Sequence, residues 1–183
     1  MTHHNAHSRL ALVMIDIQNG VLSLPLAHDP DHLVQRAAQL VSLFHHNELP
    51  VVAVNVAGRP SGRTDQVQAH VDMSGRWSEL DSRLPLKADD IYVTKHCWGA
   101  FTQSTLHQQL QFAGVNQIAL VGVSTSIGVE STARQAFDLG YNVLCLTDVM
   151  TDVHLDNHLY SCEHIFPRLG EVIESATLIS QMN

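Results

Sequence analysis

The sequence has few cysteines and no motif that pairs them. Cys97, Cys145 and Cys162 are odd in number, widely spaced and free of any CxxC pattern. Such spacing fits neither a disulfide framework nor a zinc site. We therefore expect three reduced thiols and no structural metal, and nothing in the sequence indicates a cofactor.

Long hydrophobic runs and an excess of basic residues are also missing. Apolar runs are short, as in Leu10 to Ile15, whereas a membrane span needs about 18 or more consecutive apolar residues. Residues 1–8 are polar, hold no signal-peptide core and are expected to be flexible. With 10 Lys plus Arg against 18 Asp plus Glu, the net charge of -8 repels polyanions. We predict a cytoplasmic protein that binds a small molecule, with no nucleic acid or membrane partner.

Short β-branched runs alternate with segments of helical periodicity along the chain of 183 residues. This alternation predicts one domain, residues 1–183, with a three-layer, doubly wound α/β fold around a mostly parallel sheet of about six strands. Asp31 is expected to cap the helix after the first strand, and Gly122 to end the fourth strand. The predicted strands are Leu10–Asp16, Val51–Val56, Asp90–Lys95, Gln117–Val121, Tyr141–Thr147 and Glu171–Ile173.

Two charged residues stand at predicted strand ends. Open parallel sheets bind ligands outside the carboxyl ends of their strands. Asp16 follows an apolar run and would be partly desolvated, which raises a carboxyl pKa unless a cation opposes it, and Lys95 is a possible cation. Alone, such an Asp is more often a turn residue and such a Lys is usually solvated. Together they predict a site.

Three segments carry a resemblance to a known family. ALVMIDIQNG, VTKHCWGAF and LVGVSTSIGVESTARQAFDLGY resemble, in order and spacing, the signature segments of the isochorismatase-like cysteine hydrolases. The resemblance places the family's catalytic Asp at Asp16 and its Lys at Lys95. The catalytic Cys falls on Gly128, where GVSTSIGVESTAR stands in place of a pattern similar to GVATDVCVEATAR.

This departure selects among the family's reactions. Amidase members attack a carbonyl with the Cys thiolate, and glycine offers no nucleophile. The true isochorismatases also lack the Cys, and there the Asp acts as a general acid in vinyl-ether cleavage. By this resemblance Asp16 is the acid and Lys95 its electrostatic partner. Burial would raise the pKa of Asp16 and Lys95 would lower it, and the sequence leaves that balance open.

The resemblance also suggests the surroundings of the site. It places a cis peptide at Val123–Ser124, an anion pocket at the backbone N–H groups of Ser124 and Gly128, and homodimers or homotetramers. Ser124, Thr125 and Ser126 are equally candidates for helix capping. Arg59, like Arg63, is a candidate for binding a carboxylate, although loop arginines are often only solvated. Trp77 is a candidate for the pocket wall, and packing in the core is the alternative. The predicted substrate-binding residues are Gln18, Arg63, Trp98, Ser124 and Thr125.

Several other interpretations remain open. Cys97 near Lys95 is a possible relocated nucleophile. Ser124, Asp148 and His154 or His158 follow the order of a serine-hydrolase triad. His154 and His158 have the spacing of a metal pair but no obvious third ligand, and the stretch NVAGRPSGRTDQ lacks the Asp-x-His-x-His segment of zinc-binding nicotinamidases. A binding protein that has lost its catalytic activity is the alternative to an enzyme.

Overall fold

The computed structural model describes residues 9–65 and 71–182, so the predicted flexible segment at residues 1–8 lies outside the described residues. Its strands are β1 (Leu10–Ile15), β2 (Val51–Val56), β3 (Ile91–Lys95), β4 (Gln117–Val123), β5 (Asn142–Thr151) and β6 (Glu171–Ile173). They form one parallel sheet of six strands in the order β3-β2-β1-β4-β5-β6. The strand order reverses beside β1, because the chain first builds β2 and β3 on one side and then returns to place β4 on the other.

Helices cover both faces of this sheet. They are α1 (Asn19–Leu22), α2 (Pro30–His46), α3 (Leu106–Phe112), α4 (Glu130–Asp138), α5 (Leu155–Tyr160) and α6 (Ser175–Met182). A π-helical turn at Thr125–Val129 leads into α4, and another at Ser161–Ile165 follows α5. Short 3-10 turns lie at Gly75–Trp77 and Phe166–Arg168. No helix among the described residues is long and apolar enough to cross a membrane.

Alternate residues of β1 belong to two separate hydrophobic cores. Ala11, Val13 and Ile15 pack with residues of α3 and α4 on one face. Leu12 and Met14 pack with residues of α2 and α6 on the other. Since side chains alternate across a strand, a strand buried on both faces must be apolar at every position. The arrangement confirms the predicted three-layer α/β fold.

The predicted start of α2 and the predicted end of β4 are wrong. The cap of α2 is Asp29, not Asp31, because Pro30 takes the first helical position and the Asp29 carboxylate accepts the N–H of Asp31 at 3.0 Å. Strand β4 continues to Val123 through Gly122. A Cβ on Gly122 would lie 2.0 Å from the Ile15 carbonyl oxygen, and its φ is +128°. The glycine therefore permits close approach to β1 rather than ending the strand.

Candidate active site

The carboxyl ends of three parallel strands bring the candidate residues together. Asp16 follows β1 directly, Lys95 is the last residue of β3, and Ser124 follows β4. Strand β2 separates β3 from β1, so the long Lys95 side chain reaches across β2 to Asp16. Asp16 has a φ of +54°, a left-handed conformation that Asp tolerates better than most residues, and β1 ends there.

Asp16 and Lys95 form a buried ion pair. Lys95 Nζ donates to Asp16 Oδ2 at 2.7 Å and to the Cys97 carbonyl oxygen at 3.2 Å. The two side chains are 7% and 2% exposed. Asp16 Oδ1 is buried and has no hydrogen-bond partner among the described residues. The carboxyl group is therefore held on one oxygen only.

Burial decides the protonation of this carboxyl group. Desolvation raises the pKa of Asp16 to about 6, while the charge of Lys95 and its hydrogen bond act in the opposite direction. The larger effect is thus the transfer of a carboxylate out of water, which disfavours its charged form. A carboxyl group with this pKa exchanges its proton near neutral pH, as a general acid requires.

Gly128 lies directly against the carboxyl group of Asp16. The π-helical turn that follows β4 places it so that an added Cβ would lie 3.1 Å from Asp16 Oδ2 and 3.1 Å from Ile15 Cγ2. The residue that the resemblance places at the family's cysteine is therefore beside the Asp16 carboxyl group, and a glycine offers no nucleophile there.

A cavity of about 460 Å³ opens over this pair. Its wall is mostly apolar and includes both tryptophans, with Trp77 half-buried and Trp98 58% exposed. Its charged lining residues are one acidic side chain, Asp16, and three basic ones, Lys95, Arg59 and Arg63. The lining residues are Asp16, Val21, Leu24, Val56, Gly58, Arg59, Pro60, Gly62, Arg63, Thr64, Val71, Met73, Trp77, Lys95, Cys97, Trp98, Val123, Ser124, Ile127 and Gly128.

The predicted substrate-binding residues separate into two groups. Arg63, Trp98 and Ser124 line the cavity, whereas Gln18 and Thr125 are fully buried and lie outside its lining. The Gln18 amide donates to the Val56 carbonyl oxygen at 2.9 Å and accepts the Val56 N–H at 2.7 Å, which fastens the chain after β1 to the end of β2. Thr125 Oγ1 is hydrogen-bonded to His158 Nδ1 at 2.8 Å.

The turn after β4 is stabilised by a residue that the sequence analysis missed. The structure confirms the cis peptide at Val123–Ser124, but the Ser124 side chain makes no capping hydrogen bond. Instead, Asp152 Oδ2 accepts the N–H and the hydroxyl of Ser126, both at 2.8 Å. Asp152 follows the end of β5, so its place at a strand end was the available signal, but β5 is longer than predicted.

The serine-hydrolase triad does not assemble. The Asp148 carboxylate accepts hydrogen bonds from the Ser175 N–H at 2.7 Å and from Arg36 at 2.6 Å. His154 is exposed and His158 is buried against Thr125 rather than Ser124. In residues 9–65 and 71–182, no three His, Cys, Asp or Glu side chains are grouped to hold a metal ion. Cys97 does line the cavity, where its thiol donates to the Gly99 carbonyl oxygen at 3.3 Å.

Replacing Lys95 with Met is expected to make stability more dependent on pH. The change removes both effects that lower the pKa of Asp16, so this pKa rises above 6. When the pKa is higher in the folded state, the folded protein binds more protons, and stability falls as pH rises from the unfolded pKa to the folded one. Each unit by which the folded-state pKa rises, up to pH 8, lowers the free energy of unfolding at pH 8 by about 1.4 kcal/mol. Thermal unfolding at pH 5 and pH 8 measures the difference.

The matched control for this prediction is Lys87→Met, because Lys87 is exposed. It should unfold like the wild type at both pH values. The measured quantity is the change in melting temperature between pH 5 and pH 8. If this change is the same in Lys95→Met as in the wild type, the assigned role of Lys95 is contradicted.

Comparisons with known proteins show the family of the chain. The protein-family model of the isochorismatase domain matches residues 10–177 of the sequence. An uncharacterised isochorismatase family protein of Escherichia coli O157:H7, YecD, is 36% identical over 172 residues, covering 88% of this chain and 90% of that protein. YwoC of Bacillus subtilis (strain 168), another uncharacterised isochorismatase family protein, is 33% identical over 181 residues, covering 95% and 94%. The structure of an isochorismatase family protein from Burkholderia thailandensis superposes with a TM-score of 0.90 at 35% identity, covering 94% and 95% of the two chains. The chain therefore belongs to the isochorismatase family of hydrolases.

Proposed function

We propose that this protein hydrolyses a small carboxylate-bearing molecule by general acid catalysis, with Asp16 as the acid and no covalent intermediate. The observation that carries the proposal is the state of the Asp16 carboxyl group. Lys95 holds Oδ2, Oδ1 has no partner among the described residues, and burial raises the pKa to about 6. A proton on this carboxyl group is therefore carried by Oδ1, because Oδ2 already accepts from an ammonium group.

The absence of a nucleophile at Gly128 fits hydrolysis of a vinyl ether. The proton moves from Asp16 Oδ1 to the terminal carbon of the C=C bond, which leaves an oxocarbenium ion. Water adds to that ion and returns one proton to Asp16, and the resulting hemiketal breaks its C–O bond to give a ketone and an alcohol. Each step needs only a positioned acid and a water molecule.

Lys95 supports this reaction in two ways. Its ammonium group orients the carboxyl group through Oδ2, so that Oδ1 carries the transferable proton. It also stabilises the carboxylate that remains after the proton has been transferred. A basic partner therefore helps the acid in the transition state, although it lowers the ground-state pKa.

The charge of the cavity supports a carboxylate substrate. Arg63 is exposed at the cavity and is positioned to bind a carboxylate at its mouth, with Trp98 and Ser124 as further contacts. We expect Arg63→Gln to raise KM about tenfold with little change in kcat, since one charge-assisted hydrogen bond contributes about 1.5–3 kcal/mol. Steady-state kinetics measures both constants. Arg168→Gln, which removes an exposed arginine outside the cavity lining, is the control. A fall in kcat at unchanged KM would assign Arg63 another role.

The proposed function is tested by assaying purified protein on isochorismate, with release of pyruvate as the readout, and on nicotinamide. We expect pyruvate release and no hydrolysis of the amide. Because the protonated acid is the active form, kcat/KM should fall about tenfold per pH unit above about pH 6. Turnover of nicotinamide alone, or of neither compound, would overturn the proposal, and the second result would favour a binding protein without catalytic activity.

A further inference from the structure

The Thr132 hydroxyl connects the two chain segments that meet at Asp16. Thr132 lies in α4, one helical turn after Gly128, and is fully buried. Its hydroxyl donates to the Gly128 carbonyl oxygen at 2.7 Å and accepts the N–H of Ala100 at 3.1 Å. Ala100 belongs to the segment 96–105 between β3 and α3, called the β3–α3 loop below.

Both segments that Thr132 connects contact the Asp16–Lys95 pair. A Cβ on Gly128 would lie 3.1 Å from Asp16 Oδ2, so the turn that carries Gly128 sits against the carboxyl group. The β3–α3 loop supplies the Cys97 carbonyl oxygen that accepts from Lys95 Nζ. The loop is irregular, and the ammonium position therefore depends on what fixes the loop.

Gln135 fastens the same loop from the same helix. Its side-chain oxygen accepts the Phe101 N–H at 3.1 Å, and its amide nitrogen donates to Thr102 Oγ1 at 2.5 Å. Because residues three apart lie on one helical face, α4 holds the loop at two neighbouring points. Loss of the Thr132 hydroxyl would leave the N–H of Ala100, a fully buried residue, without its partner.

We propose that Thr132 is a positioning residue, which fixes the β3–α3 loop against the turn carrying Gly128 and so keeps Lys95 Nζ beside Asp16. The inference rests on the proposed function, in which Asp16 is the acid that Lys95 orients. The other charged groups lining the cavity, Arg59 and Arg63, lie outside the β3–α3 loop. Loss of the Thr132 hydroxyl is therefore predicted to change the contact between Lys95 Nζ and Asp16 Oδ2.

The test measures the pKa of Asp16 directly and needs no substrate. Protein labelled with ¹³C at aspartate carboxyl groups is titrated by NMR, and the Asp16 signal is assigned with Asp16→Asn. Thr132→Val has nearly the same shape as Thr but no hydroxyl, so Lys95 should move away and the pKa of Asp16 should rise by about 0.5 or more. Thr132→Ser keeps the hydroxyl and should titrate like the wild type. Ser42→Ala removes a hydroxyl that also bonds four residues back, to Ala38, on α2, and should have no effect.

The outcomes separate this inference from the proposed function. An ordinary carboxyl pKa for Asp16 in the wild type would overturn the proposed function. A raised pKa in the wild type that stays unchanged, or falls, in Thr132→Val would overturn only the role of Thr132. If Thr132→Val does not fold, Gln135→Leu takes its place. Gln135 is half-buried, and this change removes its hydrogen bonds to Phe101 and Thr102 of the same loop. The same rise is then expected, and an unchanged pKa would overturn the inference.

Discussion

Asp16→Asn is expected to lower kcat for pyruvate release by about 10²- to 10⁴-fold, the range that a positioned general acid contributes. Asn has nearly the same shape as Asp, but it cannot release a proton at neutral pH. KM should change little, because Asp16 lies at the base of the cavity and the predicted carboxylate contact is at Arg63. Steady-state turnover at pH 5, below the pKa of about 6, where most of the wild-type acid is protonated, gives a larger difference than turnover at pH 8.

Two checks make this result specific to the acid. Asp138→Asn removes an exposed carboxylate of α4 and should leave kcat unchanged. Thermal unfolding of Asp16→Asn shows whether the variant is folded at the assay temperature. A folded Asp16→Asn protein that keeps more than about a tenth of the wild-type kcat would exclude Asp16 as the general acid.

Gly128→Cys is expected to exchange one reaction for another. The new Cβ would lie 3.1 Å from both Asp16 Oδ2 and Ile15 Cγ2, and 3.5 Å from the Val123 carbonyl oxygen, so the side chain fits after shifts of a few tenths of an ångström. The thiol would then lie next to a carboxyl group that can take its proton, as a cysteine nucleophile requires. We expect hydrolysis of nicotinamide to become measurable and pyruvate release to fall at least about tenfold, because the side chain fills space beside the acid.

Gly128→Ala separates the volume of the new side chain from its chemistry. It should also lose pyruvate release, but it should gain no amide hydrolysis. Mass spectrometry after treatment with iodoacetamide identifies whether residue 128 is alkylated in Gly128→Cys, independently of Cys97, Cys145 and Cys162. A folded Gly128→Cys protein whose thiol is alkylated, but which hydrolyses no amide, would contradict the predicted geometry at this position.

The parallel sheet was predictable because its signal is local. Short β-branched runs bounded by polar segments predict strands such as Val51–Val56 and Glu171–Ile173, and the structure has both with these bounds. The predictions failed where a boundary depends on a distant residue. Gly122 has the appearance of a strand end, but its lack of a side chain allows contact with Ile15.

The residues of the candidate site were predictable only in part. Asp16 and Lys95 were found because both stand at strand ends, and Gly128 because of the resemblance to a family motif. Thr132 was missed, since a buried hydroxyl that bonds to backbone groups leaves no pattern in the sequence. Asp152 was missed because β5 extends to Thr151, beyond its predicted end at Thr147. Gln18 and Thr125 were expected at the substrate, and the structure places them outside the cavity lining.

The sequence by itself determined the α/β fold, the strand ends that carry Asp16 and Lys95, and the lack of a nucleophile at residue 128. These properties depend on apolar periodicity and on residue identity. The tertiary structure decided the protonation of Asp16, because a pKa depends on distances and burial. Only the folded chain shows that Lys95 reaches across β2 to a single oxygen of Asp16, and that desolvation outweighs this contact.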